Sequence, residues 1–162
     1  MDFKRIARGT MSIVFAVSII ITIISSQSAF ATEKTDVTVT VHQFFDNLGE
    51  KTLQKALAAC DSPVSILDEF PPHVWDGATA CADWFKGLVA YNEKSGITDG
   101  VATLGAPWTV DVTGDRAYFV APAGYTFKQH GKPAKEARAV FTVALRKTDA
   151  GWRITGWTWS KH

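Results

Sequence analysis

Apolar residues recur at helical spacing in the segment TDVTVTVHQFFDNLG. Val37, Val39 and Val41 also alternate as they would in a strand, but the helical pattern is the longer of the two. The segment therefore predicts a first helix, with Asp36 as its N-terminal cap and Gly49 at its end. The apolar face of this helix consists of Val37, Val41, Phe44, Phe45 and Leu48.

Two further helices are predicted before the middle of the chain. The second runs from a cap at Thr52 to a stop at Pro63, because the residue before a proline disfavours the helical conformation. The third follows Gly77 and ends within 92–96. Both are amphipathic, with apolar faces made of Leu53, Ala56, Leu57 and Cys60 in the second helix, and of Ala78, Cys81, Trp84, Phe85, Leu88 and Tyr91 in the third.

From Val101 onward, alternating apolar residues and short turns predict strands instead of helices. Gly156 is a candidate bulge, which would change the direction in which Trp157 points. One long strand has an apolar face made of Ala137, Ala139, Phe141, Val143 and Leu145. Together with a short buried strand at Val64–Leu67, the predicted strands are Trp108–Thr113, Arg116–Phe127, Ala137–Lys147 and Trp152–Ser160.

Helices followed by an antiparallel meander are typical of an α+β fold, in which the helices cover one face of a bent sheet. A sheet curled around a helix encloses a conical pocket, and such pockets commonly bind ligands. Between the second and third helices, Pro71 and Pro72 exclude a helix or a central strand. The segment from Asp68 to Trp75 is therefore predicted to be an extended or turning connection.

The first 31 residues have the order of a secretory signal peptide. Basic residues within 1–8 precede an uncharged run over 11–24, and small residues then lead to a cleavage site after Ala31. The run is shorter than the roughly 20 residues that a membrane-spanning helix needs. We therefore expect a periplasmic or secreted domain over 32–162, with no stable membrane anchor after cleavage.

Charge and composition exclude several classes of function. The chain has a net charge of +1, and loss of the leader, with its three basic groups and one acidic group, changes this to −1. Such a domain lacks the basic surface of a nucleic-acid-binding protein. The four histidines have no metal-ligand spacing, and no glycine-rich phosphate loop is present. We expect no nucleic acid, no metal and no cofactor.

Cys60 and Cys81 both belong to the mature domain, and an exported protein meets an oxidising compartment. A disulfide between them would stabilise the fold by about 3 kcal/mol, mainly by restricting the unfolded chain. Two buried, unreactive thiols are the alternative, since free cysteine is among the most buried residue types. The sequence favours the disulfide.

The order of elements resembles the nuclear transport factor 2-like superfamily in its SnoaL-like branch. The resemblance rests on the helix-helix-strand start, on Trp75-Asp76-Gly77 before the long helix, and on the segments VDVTGDRAYF and GWRITGWTWS. It extends from Asp36 to His162. It implies a cone-shaped sheet wrapped around N-terminal helices, and a homodimer, because members of this family commonly pair their exposed sheet face. It implies no single activity, since this fold hosts isomerases, dehydratases, cyclases and proteins without catalysis.

Set beside the ketosteroid isomerases of the superfamily, the segment VHQFFDNL is similar to the one that carries their oxyanion-stabilising tyrosine. Phe44 occupies that position here, while the general-base aspartate falls on Asp68. Phenylalanine cannot donate a hydrogen bond, and loss of one such donor costs about 10²–10³ in rate. The resemblance therefore argues against ketosteroid isomerase chemistry itself.

Asp68 and His73 are the candidate catalytic pair. A carboxylate whose pKa is raised by aromatic neighbours can take a proton from carbon, and a nearby imidazole can return it. The alternative is structural, because aspartate commonly accepts backbone N–H bonds in tight turns.

Aromatic residues form the second candidate set. Rings that line a cone suit a flat apolar ligand, and tyrosine hydroxyls can orient it. An ordinary aromatic core is the alternative for the same residues. The candidate ligand-binding residues are Phe44, Trp75, Tyr91, Tyr118, Tyr125 and Trp157.

Three functions therefore stay open. The first is a binding module for a small apolar or aromatic molecule. The second is an acid–base enzyme of the isomerase, dehydratase or cyclase type that uses Asp68 with His73 or a tyrosine. The third is a protein-interaction domain with a filled cone and an exposed apolar patch.

Overall fold

The computed structural model describes residues 31–49 and 51–161. The chain divides into two compact units, Met1–Glu33 and Lys34–His162, and the second carries the fold described below. The predicted signal peptide lies outside the described residues except for Ala31, so it stays a prediction. In the described part of the chain, no helix has both the length and the apolar character needed to cross a membrane.

Three helices occur where the apolar spacing predicts them. They are α1, the helical residues 34–45 of the second unit; α2, Leu53–Leu57; and α3, Ala80–Lys94. Asp36 does not cap α1, because the residues before it are already helical. Helix α2 ends earlier than predicted: Cys60 begins a strand, and Pro63 lies within it. Pro63 is tolerated there because the pairing of this strand is irregular between Cys60 and Ser65.

Seven strands form one sheet in the order β2-β1-β7-β6-β5-β3, with β4 also paired to β5. Strands β3 and β4 share one edge of β5, since they pair with different halves of it. The strands are β1 (Cys60–Leu67), β2 (Val74–Gly77), β3 (Ile97–Leu104), β4 (Thr109–Thr113), β5 (Arg116–Gln129), β6 (Lys132–Thr148) and β7 (Gly151–Lys161). This α+β architecture confirms the predicted fold class.

Three strand features differ from the prediction. Strand β2 (Val74–Gly77) begins where an extended or turning connection was predicted. Strand β1 pairs in parallel with β7, whereas all other neighbours are antiparallel. Strand β3 was not predicted, because its sequence ITDGVATL does not alternate and most of it is exposed at the sheet edge. Edge strands bury little side-chain area and so leave a weak hydrophobic pattern.

The core lies between the helices and the inner face of the sheet. Val37, Val41 and Phe44 of α1 are almost fully buried, as their helical spacing requires. They belong to one buried cluster with the alternate residues of β6, and the Phe44 ring lies 6.4 Å from that of Phe141. These β6 residues are Ala139, Phe141, Val143 and Leu145. The aromatic centre of this core is formed by Phe44, Phe45, Trp84, Phe141 and Trp157.

A disulfide joins Cys60 to Cys81, whose Cα atoms are 6.7 Å apart. It connects the first residue of β1 to the first turn of α3. The disulfide therefore links β1 to α3 covalently, with the connection after β1 and strand β2 between the two cysteines.

Candidate ligand-binding cavity

A cavity of about 540 Å³ lies between α1, α3 and the inner face of the sheet. Its volume falls in the range of about 300–1,000 Å³ that is usual for small-molecule sites. Most of its wall is aromatic or aliphatic. The apolar lining consists of Phe44, Phe45, Leu48, Phe70, Trp84, Phe85, Leu88, Val89, Ile97, Ala102, Phe127, Phe141, Trp157 and Trp159.

Two β-bulges decide which side chains face this cavity. In β7, the register shifts between its pairs with Ala144 and Leu145, so that Ile154 and Trp157 both point inward. This confirms the predicted change of direction near Gly156. In β6, Arg138 has a positive φ of 74°, and the register shifts where Ala123 pairs with Ala139 and Tyr125 with Glu136.

The bulge in β6 reverses the alternation of inward and outward residues. Ala137 was predicted to continue the apolar face, but it is exposed, and Glu136 lines the cavity instead. The cause is the extra residue at the bulge, because one inserted residue makes the side chains on its two sides alternate out of step, so those before Arg138 point to the opposite face from the one predicted. Strict alternation in the sequence could not show this.

Asp68 is the most buried carboxylate of the cavity, with 8% of its surface exposed. It follows directly after β1. Its Oδ2 accepts a hydrogen bond of 2.8 Å from the indole N–H of Trp84 on α3, and its Oδ1 accepts one of 2.6 Å from the backbone N–H of Glu69. Because each oxygen has a donor, the carboxyl group is held in one orientation.

The surroundings of Asp68 favour its neutral form. Burial raises the pKa of Asp68 above its ordinary value, the hydrogen bonds from Trp84 and Glu69 lower it, and the negative charge of Glu136 raises it again. The net effect is a raised pKa, dominated by loss of hydration. Carboxyl groups with raised pKa values inside clefts are candidates for proton transfer.

A group of polar side chains lies at the mouth of the cavity. Lys161 Nζ is 2.8 Å from Glu69 Oε1 and 3.3 Å from Glu136 Oε2. The indole N–H of Trp159 donates to Glu136 Oε1 at 2.6 Å. The pKa of Glu69 is raised, first by burial and then by its contact with the Glu136 carboxylate, while Lys161 lowers it. We call Glu69, Glu136 and Lys161 the mouth cluster.

Tyr125 lies beside the mouth cluster, since it pairs with Glu136 across β5 and β6. Its hydroxyl accepts a 3.4 Å hydrogen bond from the Asn92 amide of α3, and burial raises its pKa. Gly100 of β3 makes room for this hydroxyl, because a Cβ at residue 100 would lie 1.9 Å from it. The Tyr125 hydroxyl keeps its own proton available for a ligand.

One donor in the wall is unsatisfied. Trp157 is 4% exposed, and its Nε1 is the buried side-chain polar atom without a hydrogen-bond partner among the residues that the structure describes. Its ring contacts Trp84 at 4.6 Å in a T-shaped arrangement. Unsatisfied buried donors are uncommon in folded proteins, and this one is enclosed by neighbouring protein atoms.

Five of the predicted site residues line the cavity, and three do not. Those that line it are Asp68, Phe44, Tyr91, Tyr125 and Trp157. His73 lies outside: it is exposed, and its Nδ1 contacts the Asp68 backbone oxygen at 3.2 Å instead of the carboxylate. The predicted Asp68–His73 pairing is therefore wrong in its geometry. The turn places the imidazole on the outer side of the Asp68 backbone.

Trp75 and Tyr118 are also absent from the cavity. Trp75 is buried against Phe70, with ring centroids 4.8 Å apart, so it belongs to the core. Tyr118 lies on the outer face of the sheet with 48% of its surface exposed, near the exposed Leu67 and Val74. The predicted homodimer would use a surface of this kind, and it stays a prediction.

Sequence reasoning missed several polar residues of the site. Glu136 was hidden by the bulge, and Lys161 and Glu69 look like ordinary surface charges in the sequence. Within 31–49 and 51–161, no group of three or more His, Cys, Asp or Glu residues is placed to hold a metal ion.

Comparison with known proteins identifies relatives of this architecture. The family model of the SnoaL-like domain matches residues 37–161. A nuclear transport factor 2-like protein with a cystatin-like fold from Novosphingobium aromaticivorans has a TM-score of 0.68 at 14% identity, covering 93% of this chain and 90% of that one. No curated protein matches.

Two other solved structures carry names of enzyme classes. A protein from Streptomyces avermitilis, named as a dehydratase of the nuclear transport factor 2-like family, has a TM-score of 0.66 at 17% identity, covering 82% of this chain and 98% of that one. A protein from Shewanella frigidimarina, named as a ketosteroid isomerase, has a TM-score of 0.58 at 24% identity, covering 75% of this chain and 91% of that one. At these identities the likeness concerns the fold.

Proposed function

The chain belongs to the SnoaL-like domain family, and on this premise we propose that it binds a small, largely apolar ring compound in its cavity. Membership in this family does not specify a ligand, because one fold can host many functions. The observation that carries the proposal is the cavity of about 540 Å³ with a wall of aromatic and aliphatic side chains. Tyr125 and Asn92 supply the few polar groups that such sites use to orient a ligand.

Blocking the cavity at its rim should weaken binding strongly. Ala102 of β3 lines the cavity but is itself exposed, so Ala102→Trp should fill the entrance without disturbing the core. We expect the affinity for a neutral probe, 2-naphthylmethanol, to fall by about tenfold or more, equivalent to about 1.4 kcal/mol of lost binding energy. Isothermal calorimetry would measure it, with quenching of tryptophan fluorescence as a second readout.

The neighbouring position provides the matched control. Val101 precedes Ala102 in β3, is exposed and does not line the cavity. Val101→Trp should therefore leave the affinity unchanged, since adjacent strand residues point to opposite faces. Equal affinities for both variants and the unmodified protein would place the binding site elsewhere and refute the proposal.

A second candidate function is proton transfer to and from carbon, with Asp68 as the base. It is supported by the position of Asp68, whose carboxyl group lines the cavity, is held by Trp84 and has a raised pKa. A base with a pKa closer to the working pH transfers protons more effectively. The solved relatives named as a dehydratase and as an isomerase belong to reaction classes that need such a group.

Asp68→Asn separates this candidate from simple binding. With 2-tetralone in heavy water, we expect the protein to accelerate deuterium exchange at the carbon next to the carbonyl, and the variant to lose about 10²-fold or more of that rate. Proton NMR would follow the exchange. Asp149→Asn, an exposed change in the turn after β6, is the control and should keep the full rate. Exchange no faster than in buffer would rule out this chemistry for ketones while leaving the binding proposal intact.

A further inference from the structure

The carboxylates of the cavity exceed the cations available to neutralise them. Asp68, Glu69 and Glu136 line it, and Lys161 is the only basic residue in the described lining. Asp99 also lies at the rim, but Lys128 pairs with it at 2.9 Å. Because burial favours the neutral form of Asp68, the negative charge of the lining belongs chiefly to Glu69 and Glu136. These two carboxylates repel anions and attract cations, because charges interact strongly where water is partly excluded.

The excess is concentrated in the mouth cluster. Glu69 and Glu136 share the single ammonium of Lys161, whose Nζ lies 2.8 Å from Glu69 Oε1 and 3.3 Å from Glu136 Oε2. Two ionised carboxylates that share one ammonium keep a net negative charge, which a second cation would neutralise. Glu136 is already fixed by Trp159 and its side chain is only 14% exposed, so it cannot turn away into solvent.

Aromatic rings adjoin the same carboxylates. The indole N–H of Trp159 is hydrogen-bonded to Glu136, and the Trp159 ring stacks on that of Phe45 with centroids 6.5 Å apart. Tyr91, whose ring is 5.3 Å from that of Phe70, lines the opposite wall on α3. Ring faces attract cations, and this attraction grows when the cation is partly desolvated. Carboxylates and rings together favour an organic cation over a neutral polar group.

The rings around Trp157 indicate the rest of the ligand. Trp157 lines the cavity, and its ring lies 5.9 Å from that of Phe44, 4.6 Å from that of Trp84 and 5.4 Å from that of Phe141. An aromatic ring packed against this part of the wall would meet other aromatic rings, which attract one another in tilted and edge-to-face arrangements.

We infer that the ligand of this cavity is a protonated arylalkylamine, with its aliphatic ammonium group at the mouth cluster and its ring against Trp157. An ammonium has three donor hydrogens, which matches a site with two carboxylates. This inference rests on the proposed binding function and names the chemical class that the cavity takes.

Three probes of one shape and different charge test it. They are 2-naphthylmethylamine, which is a cation at pH 7, the neutral 2-naphthylmethanol and the anionic 2-naphthoate. We expect the amine to bind about tenfold or more tightly than the alcohol, since charge-assisted hydrogen bonds are about twice as strong as neutral ones, and the anion to bind least. The advantage of the amine should shrink as salt is added.

Glu136→Gln should bring the affinity of the amine close to that of the alcohol, so that the ratio of the two affinities falls from about tenfold to near one. Glu69→Gln should shift the affinities in the same direction. It takes the place of Glu136→Gln if that variant does not fold. Glu93→Gln on α3 removes the same charge outside the cavity lining and is the control; it should keep the full preference.

The binding measurements distinguish an error in the ligand class from an error in the proposed binding function. If the alcohol binds as well as the amine, and Ala102→Trp abolishes both, the cavity is a binding site but the inferred ligand class is wrong. The inferred ligand class is also wrong if Glu136→Gln and Glu93→Gln behave alike. If none of the three probes binds, the binding function and the inferred ligand class both fail.

Discussion

Replacing Phe141 by alanine should lower the free energy of unfolding by about 3–5 kcal/mol, the range for large aromatic residues removed from a packed core. Phe141 is 2% exposed and lies near the middle of β6. Its ring contacts Phe45 at 5.3 Å, Trp157 at 5.4 Å and Phe44 at 6.4 Å. Loss of the ring would remove the contacts that Phe141 makes with α1 and with β7, and would leave a cavity between them.

Unfolding in urea, followed by far-ultraviolet circular dichroism, would measure the change. Phe127→Ala is the control, because Phe127 lies on the same face of the sheet but is only partly buried at the rim. It should cost clearly less. If Phe141→Ala does not fold, Phe141→Leu gives a smaller loss that can be measured. Equal losses for residues 127 and 141 would contradict the central position of the Phe141 ring.

Removing the disulfide by the double substitution Cys60→Ala and Cys81→Ala should cost about 3 kcal/mol. The bond spans a sequence separation of 21 residues and connects β1 to α3. Cutting it gives the unfolded chain more freedom, which stabilises the unfolded state relative to the folded one. Alanine is chosen because Cys81 is buried and a hydroxyl there would need a hydrogen-bond partner.

Reduction of the unmodified protein supplies the internal control. A phosphine reductant should lower its free energy of unfolding by a similar amount and should leave the double variant unaffected. A double variant as stable as the oxidised protein would show that the bond contributes nothing to stability. A loss seen only in the variant, and not on reduction, would instead assign the cost to the altered side chains.

The fold was predictable because its elements carry strong periodic signals. The α3 face from Cys81 to Tyr91 and the inner face of β6 from Ala139 to Leu145 both follow the spacing that burial requires. The edge strand β3 was missed because its exposed residues carry no such signal. Hydrophobic periodicity therefore indicates burial. It does not indicate a strand that is hydrogen-bonded in the sheet but whose side chains stay exposed.

The site was only partly predictable, and Asp68 and Glu136 show the reason. Asp68 could be found because it follows a predicted strand and precedes a proline pair. Glu136 lies next to a bulge at Arg138, where the backbone departs from strict alternation, so the sequence points to the wrong side of the sheet. The prediction that His73 lies beside the Asp68 carboxyl group was wrong for a related reason. His73 has a positive φ of 72°, a backbone conformation that the sequence pattern does not indicate. Such local backbone choices depend on tertiary contacts that periodicity does not encode.

The parallel pairing of β1 with β7 determines when the domain can become complete during folding. Cys60 pairs with Ile154, and β7 is the strand that joins the β1–β2 hairpin to the meander of β6 and β5. Contacts between residues so distant in sequence form slowly, because a long loop must be closed first. Until Gly151–Lys161 is in place, the two parts of the sheet share no backbone hydrogen bonds. Trp157 and Lys161 belong to that strand, so the part of the cavity wall that they form, including the only basic lining residue among the described residues, depends on the placement of β7.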